Sequence, residues 1–134
     1  MISDCITAAF RRGALEHIIN SRPKIALYTK LASLDAGTER YSPENEVRGE
    51  GYQNGGMELD KGAIMPAPDG GFALVFRSPV WPSATVTARG AVIYMADDGG
   101  KTVRVIDFGK DVTSTNGPFT VKLAGVADGG TLTI

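Results

Sequence analysis

The chain has 134 residues, with 14 lysines and arginines against 15 aspartates and glutamates, one histidine and one cysteine. A content of 43% hydrophobic and 22% charged residues is typical of a globular domain and excludes a disordered chain. The formal charge of −1 gives no overall field that would attract nucleic acid or an anionic membrane. One cysteine and one histidine are too few for an internal disulfide or a structural zinc site. We therefore expect no nucleic acid, membrane, metal or other cofactor to bind.

The sequence contains no run of about 18 apolar residues, so it predicts no transmembrane helix. Charged residues interrupt the first 20 positions, where a secretory signal would need an apolar stretch. We therefore expect the protein to remain in the cytoplasm of the cell that makes it, at least before any assembly step.

Residues 1–22 are predicted to form an amphipathic helix, accessory to a domain that spans residues 23–134. Apolar residues recur every four positions, which is helical periodicity. Ser3 and Asp4 suit an N-terminal cap, and Pro23 disfavours helix in the residue before it. The helix would also carry Cys5 and His17, about 18 Å apart along its axis, too far for a catalytic dyad. The face expected to be buried against the domain or a partner subunit consists of Ile2, Ile6, Phe10 and Ile18.

After Pro23 the hydrophobic period changes to two, which predicts about eight half-buried antiparallel strands. Three Asp-Gly-Gly sequences, at residues 69–71, 98–100 and 128–130, are typical of hairpin turns. We predict an all-β fold, an antiparallel β-sandwich with the jelly roll as one variant and one N-terminal α-helix. The predicted strands are Lys24–Lys30, Met57–Leu59, Phe72–Phe76, Val80–Ala88, Ala91–Met95, Thr102–Phe108, Phe119–Leu123 and Leu132–Ile134.

The glycine-rich segment 49–56 superficially resembles a phosphate-binding loop. Such a loop must open a helix, so that the phosphate lies at the helix N-terminus. Gly62 and two prolines follow within the next stretch of chain, and they do not favour that helix. We interpret the glycines as structural, shaping a loop that lets Tyr52 fold back over the sandwich.

The residue types allow two other kinds of site, a glycosidase site and a sugar-binding platform. A glycosidase needs a pair of carboxylates at a set separation, but acids clustered around a loop are usually solvated, so we expect no catalytic residue. Trp81 could form a sugar-stacking platform together with Tyr41, Tyr52 and Tyr94, but large aromatic side chains are mostly buried, which favours a core position for Trp81. The candidate acids are Glu44, Glu46, Glu50, Glu58 and Asp60.

Four segments carry a resemblance to a known family: ALYT at 26–29, NEVRGEGYQNGG at 45–56, WPSATVTARGAVIY at 81–94 and VIDFG at 105–109. Together they resemble a family of small proteins encoded by tailed bacteriophages and prophages, and the resemblance covers most of the chain. Pro82 and the compact Asp-Gly-Gly linkers depart from the family's pattern. The resemblance implies a structural component of the virion with no catalytic residue. Within the quoted segments, Asp107 is expected to pair with Arg89 and join two central strands.

The expected function is that of a non-enzymatic virion structural protein, a capsid decoration or cement subunit that binds the assembled shell. Its expected partners are the major capsid protein or tail proteins, and we expect a homo-oligomer located in the virion after assembly and in the host cytoplasm before it. The alternatives are a tail, baseplate or fibre-attachment protein that could bind glycans, a carbohydrate-binding module, and an enzyme. The expected interface residues are Ile2, Ile6, Phe10, Ile18, Tyr52 and Trp81.

Overall fold

The computed structural model describes residues 1–60, 62–67, 71–125 and 130–134. Within them the strands form two antiparallel sheets, of order β2-β1-β5-β6 and β3-β4-β7. This confirms the predicted all-β, sandwich-like fold with one N-terminal helix. The described strands number seven rather than the eight of a jelly roll. The elements are α1 Ala8–Asn20, β1 Pro23–Tyr28, β2 Met57–Glu58, β3 Ala63–Pro66, β4 Phe72–Val75, β5 Val80–Met95, β6 Lys101–Thr120 and β7 Leu132–Thr133.

The β5–β6 hairpin is the largest feature of the fold. Its turn includes Gly99 and Gly100, both with positive φ, so the hairpin predicted at the Asp-Gly-Gly sequence 98–100 is confirmed. The other two predicted turns include residues 69–70 and 128–129, which lie outside the described part of the chain.

The sequence analysis predicted four strands where this hairpin has two, and that prediction was wrong. Residues 80–95 form one continuous strand, as do residues 101–120. The glycines and polar residues that suggested breaks are accommodated by shifts of register, for instance between Ala88 and Gly90. Such irregularities bend a strand without ending it. The four-residue strand β3 was not predicted.

Strand β1 lies in the middle of the larger sheet and is buried on both faces. On the inner face, Ile25 and Leu27 join the main core, which also takes side chains from α1 and from the smaller sheet. On the outer face, Ala26 and Tyr28 belong to a second cluster, which is covered by the connection that follows β1. The larger sheet is therefore covered on both faces, on the inner face by the helix and the smaller sheet and on the outer face by the loop after β1.

The helix is shorter than predicted, and its buried face is different. It begins at Ala8, and the hydroxyl of Thr7, rather than Ser3 or Asp4, accepts a hydrogen bond from the Phe10 amide at 3.3 Å. Residues 1–7 are exposed and lie outside the helix. The helix contacts β1, β3 and β4, and Leu15 is fully buried there.

Three of the four residues on the predicted face are exposed: Ile2 at 99%, Ile6 at 61% and Phe10 at 67%, whereas Ile18 is buried at 8%. Ile2 and Ile6 lie before the helix begins at Ala8. Within the helix, Phe10 and Ile18 are eight residues apart, so they lie about 80° apart around the axis and do not share one face. The expectation that Ile2, Ile6 and Phe10 pack against the sandwich was wrong, while burial in a partner stays a prediction.

The buried face can be tested by comparing truncations of Leu15 and Phe10. Leu15→Ala removes a fully buried side chain and should lower the free energy of unfolding by about 2–5 kcal/mol. Phe10→Ala, a matched change at an exposed position on the same helix, should change it by less than about 0.5 kcal/mol. Urea unfolding followed by circular dichroism measures both, and equal losses would contradict the observed helix orientation.

Candidate functional site

The centre of the candidate site is Glu46, a carboxylate that is only 5% exposed. The chain around it runs antiparallel to the end of β1. Val47 donates its amide to the Leu27 carbonyl at 3.0 Å, and Thr29 donates its amide to the Asn45 carbonyl at 2.9 Å. These two backbone bonds bring Glu46 opposite Tyr28 and fix its side chain beside the sheet.

Three donors converge on the Glu46 carboxylate. The Tyr41 hydroxyl donates to Oε1 at 2.6 Å, the Tyr52 hydroxyl donates to Oε2, and the Gly55 amide donates to Oε2 at 2.8 Å. The Tyr52 hydroxyl in turn accepts the Leu27 amide at 2.9 Å. A backbone group of β1 is thereby connected through a phenol to the buried carboxylate.

The remaining two tyrosines extend the same network. The Tyr28 hydroxyl donates to the Ser42 carbonyl at 2.6 Å, and the Tyr94 hydroxyl donates to the Gly55 carbonyl at 2.6 Å. The rings of Tyr41 and Tyr94 stack with centroids 4.6 Å apart. The chain has four tyrosines, and all four belong to this group, which we call the Glu46–tyrosine network.

The glycine-rich segment lies directly against the sheet backbone. A Cβ on Gly56 would be 1.7 Å from the Ile25 carbonyl oxygen, and one on Gly51 would be 2.0 Å from that of Ser83. Both glycines also have positive φ, at 76° and 81° respectively. The glycines therefore allow the close approach that places Tyr52 and Gly55 at the carboxylate, in agreement with the structural interpretation of this loop.

All four tyrosines have a raised pKa. Burial is the largest cause in each case, and the negative charge of Glu46 adds to it. The pKa of Tyr28 and that of Tyr94 rise to about 12. For Tyr41 and Tyr52, the hydrogen bond to Glu46 raises the pKa further. These phenols hold their protons at neutral pH, so they act as hydrogen-bond donors rather than as nucleophiles.

The sequence interpretation missed Glu46, because it treated the acids as a solvated group. Glu44, Glu50, Glu58 and Asp60 are exposed as expected, but Glu46 is not. Burying a carboxylate without hydrogen bonds is costly, and here three donors compensate for the lost water. The sequence did contain one signal that could have set Glu46 apart from the other acids. Glu46 lies in the sequence Asn-Glu-Val just before a glycine-rich turn, and the chain has few tyrosines.

Trp81 occupies the core, as the sequence interpretation favoured. It is 4% exposed and packs between Tyr52, with ring centroids 5.7 Å apart, and Phe119, edge-on at 6.2 Å. Tyr52 and Tyr94 are also buried, so these rings do not form the exposed sugar-stacking platform considered from the sequence. Of the expected interface residues, Ile18, Tyr52 and Trp81 lie inside this chain rather than on its surface.

A serine, a histidine and an aspartate meet where α1 reaches the β5–β6 turn. His17 Nε2 lies 2.9 Å from Asp98 Oδ2 and 3.5 Å from Ser21 Oγ. A catalytic triad places its acid and its serine on opposite ring nitrogens, whereas here both groups face Nε2. Ser21 donates instead to the His17 carbonyl at 2.6 Å, and the hydrogen bond from His17 lowers the pKa of Asp98. This cluster joins helix to hairpin, and Cys5 lies exposed outside the helix.

The predicted pair between Arg89 and Asp107 is present, with Nε 3.6 Å from Oδ1. Among the described residues, no group of three or more histidine, cysteine, aspartate or glutamate side chains is arranged to hold a metal ion. The described part of the chain also contains no helix of the length and apolar character needed to cross a membrane. Comparisons with protein-family models, with curated proteins and with solved structures find no match to this chain.

Glu46→Gln tests whether the carboxylate holds this region together. The glutamine amide would direct N–H donors at groups that are themselves donors, so we expect a loss of about 2–4 kcal/mol in the free energy of unfolding. Glu44→Gln, the same change at an exposed position, should have almost no effect. Chemical denaturation of both variants measures the difference, and a neutral Glu46→Gln would contradict a structural role for the network.

The raised pKa values predict alkaline unfolding. Because each folded pKa lies above the unfolded value of about 10, the tyrosines contribute stability that is complete below pH 10. That stability is lost as the pH rises through the folded pKa of about 12 for Tyr28 and Tyr94. Tyrosinate absorbance at 295 nm should therefore rise only together with loss of the circular dichroism signal. Free titration of folded protein near pH 10 would contradict the network.

Proposed function

We propose that this protein is a non-enzymatic structural subunit of a bacteriophage virion, a decoration protein that binds the assembled capsid shell. One observation carries the proposal: three of the four segments that resemble the phage family contribute residues to the Glu46–tyrosine network and its glycine-rich loop. Leu27, Glu46, Tyr52, Gly55 and Tyr94 all belong to those segments and all satisfy one another internally. These motif residues therefore stabilise the domain, and we propose that its function depends on surface residues.

The exposed N-terminal segment supports a docking role. Ile2, Ile6 and Phe10 are largely exposed, so this segment presents apolar side chains that a partner could cover. Burying such side chains contributes roughly 1.5–3 kcal/mol each. Apolar side chains exposed close together in sequence are the kind of surface that a contact with another protein would cover. A subunit repeated by symmetry needs only a modest patch of this kind on each copy. Association with a second copy of the chain stays a prediction on the same grounds.

Counting copies in purified particles tests the location. Quantitative mass spectrometry of particles produced by the genome that encodes this chain should find on the order of hundreds of copies, as symmetry requires for a shell subunit. A small multiple of three or six would instead indicate a tail or baseplate protein and overturn the capsid assignment. Absence from purified particles would overturn the virion proposal as a whole.

The docking segment is tested separately with Ile6→Asp. Because Ile6 is exposed, the variant should keep the melting temperature of the isolated protein but lose association with the particle. Leu31→Asp provides the matched control, since Leu31 is also a large exposed apolar residue but lies in the loop after β1. Equal retention of both variants on particles, measured by co-sedimentation, would show that the N-terminal segment does not dock.

A further inference from the structure

A pocket of about 280 Å³ opens on the outer face of the larger sheet, next to the loop that follows β1. Its position follows from the register of three strands, in which Gly90 lies between Tyr28 and Asp107. A Cβ on Gly90 would be 2.7 Å from the Ile106 carbonyl oxygen, so only glycine fits there without displacing the neighbouring strand. The absence of a side chain at this position leaves the floor of the pocket at the level of the backbone.

The pocket combines charged and apolar walls. Arg89 and Lys30 line it together with the carboxylate of Asp107, and Leu34 and Val105 contribute apolar surface. Two positive side chains against one negative side chain leave the pocket with a net charge of about +1. The site is therefore suited to a monoanion that also carries an apolar part.

Arg89 is incompletely satisfied within the described structure. Its Nε is buried and lacks a hydrogen-bond partner. Asp107 Oδ1 lies 3.6 Å from that atom, beyond hydrogen-bond distance, and it already accepts the Gly109 amide at 2.8 Å. The Arg89 side chain as a whole is nevertheless 43% exposed. A planar guanidinium group presents paired donors that match a carboxylate.

We propose that this pocket binds a carboxylate group on a short aliphatic stem, such as the side chain of a glutamate in a partner protein. The carboxylate would pair with Arg89 and Lys30, and its stem would lie against Leu34 and Val105. The pocket, at about 280 Å³, has room for one such side chain. A dianionic phosphate would fit less well, because the net charge is small and Asp107 would repel it.

Sodium butyrate provides the first probe, at constant ionic strength. In ¹⁵N-labelled protein, the Nε–H signal of Arg89 should shift saturably with butyrate and should not shift with butyramide, which has the same shape but no charge. No saturable shift with butyrate, or the same shift with butyramide, would overturn the proposal.

Charge variants then distinguish binding in the pocket from a general effect of the protein's charge, with the Gly90 amide signal as the readout. Arg89→Gln should weaken butyrate binding about tenfold, and Arg77→Gln, at a 68% exposed position outside the pocket lining, should not change it. Asp107→Asn should tighten binding, because it removes a competing carboxylate, whereas Asp111→Asn should do so less. Equal effects of the two aspartate variants would show a general charge effect and overturn the site. Thermal unfolding confirms that each variant is folded.

The source of the carboxylate is decided by a capped amino acid. N-acetyl-glutamate methylamide presents the glutamate side chain as a protein would, and we expect it to shift the same Arg89 signal in the same direction as butyrate. Binding of butyrate without binding of the capped glutamate would overturn the protein-partner assignment and identify a free short-chain acid as the ligand.

Discussion

A carboxylate that leaves water needs a hydrogen-bond donor for each of its oxygens, and the position of Glu46 imposes this requirement on the centre of the protein. The donors come from Tyr41, Tyr52 and the Gly55 amide, which lie at three separate points of one connecting segment. The segment must therefore fold into a single conformation before the carboxylate is satisfied. That constraint explains why a long connection with little regular secondary structure can have a defined shape.

Much of the outer half of the domain depends on this arrangement. The connection covers the second hydrophobic cluster, where Tyr28 and Tyr94 pack on the face of the sheet that points away from the main core. Gly56 and Gly51 allow the covering segment to lie against the backbones of β1 and β5. A side chain at either glycine would separate loop from sheet and would expose Glu46 and its tyrosines together. The network, the glycines and the outer cluster therefore form one cooperative unit.

The buried polar groups of this chain have a structural role, and we propose that its function depends on other residues. The four tyrosines, whose pKa values are raised, donate their hydroxyls to Glu46 or to backbone carbonyls inside the chain. The Ser21–His17–Asp98 cluster has the geometry of a link between helix and hairpin. The two surfaces that we propose as contacts for partners are the apolar N-terminal segment and the pocket around Arg89. They differ in chemistry, since the first is apolar and the second is charged.

The sequence by itself determined the fold class, the helix-then-strands order, the central hairpin turn and the core position of Trp81. These features depend on local periodicity, on turn chemistry and on residue type, which a single chain displays directly. Only the tertiary structure decided that Glu46 is buried and that the helix begins at Ala8. Burial of a short polar motif depends on donors that are distant in sequence. The first residue of a helix and the face that it buries depend on its contacts with the neighbouring strands, and neither is contained in local spacing.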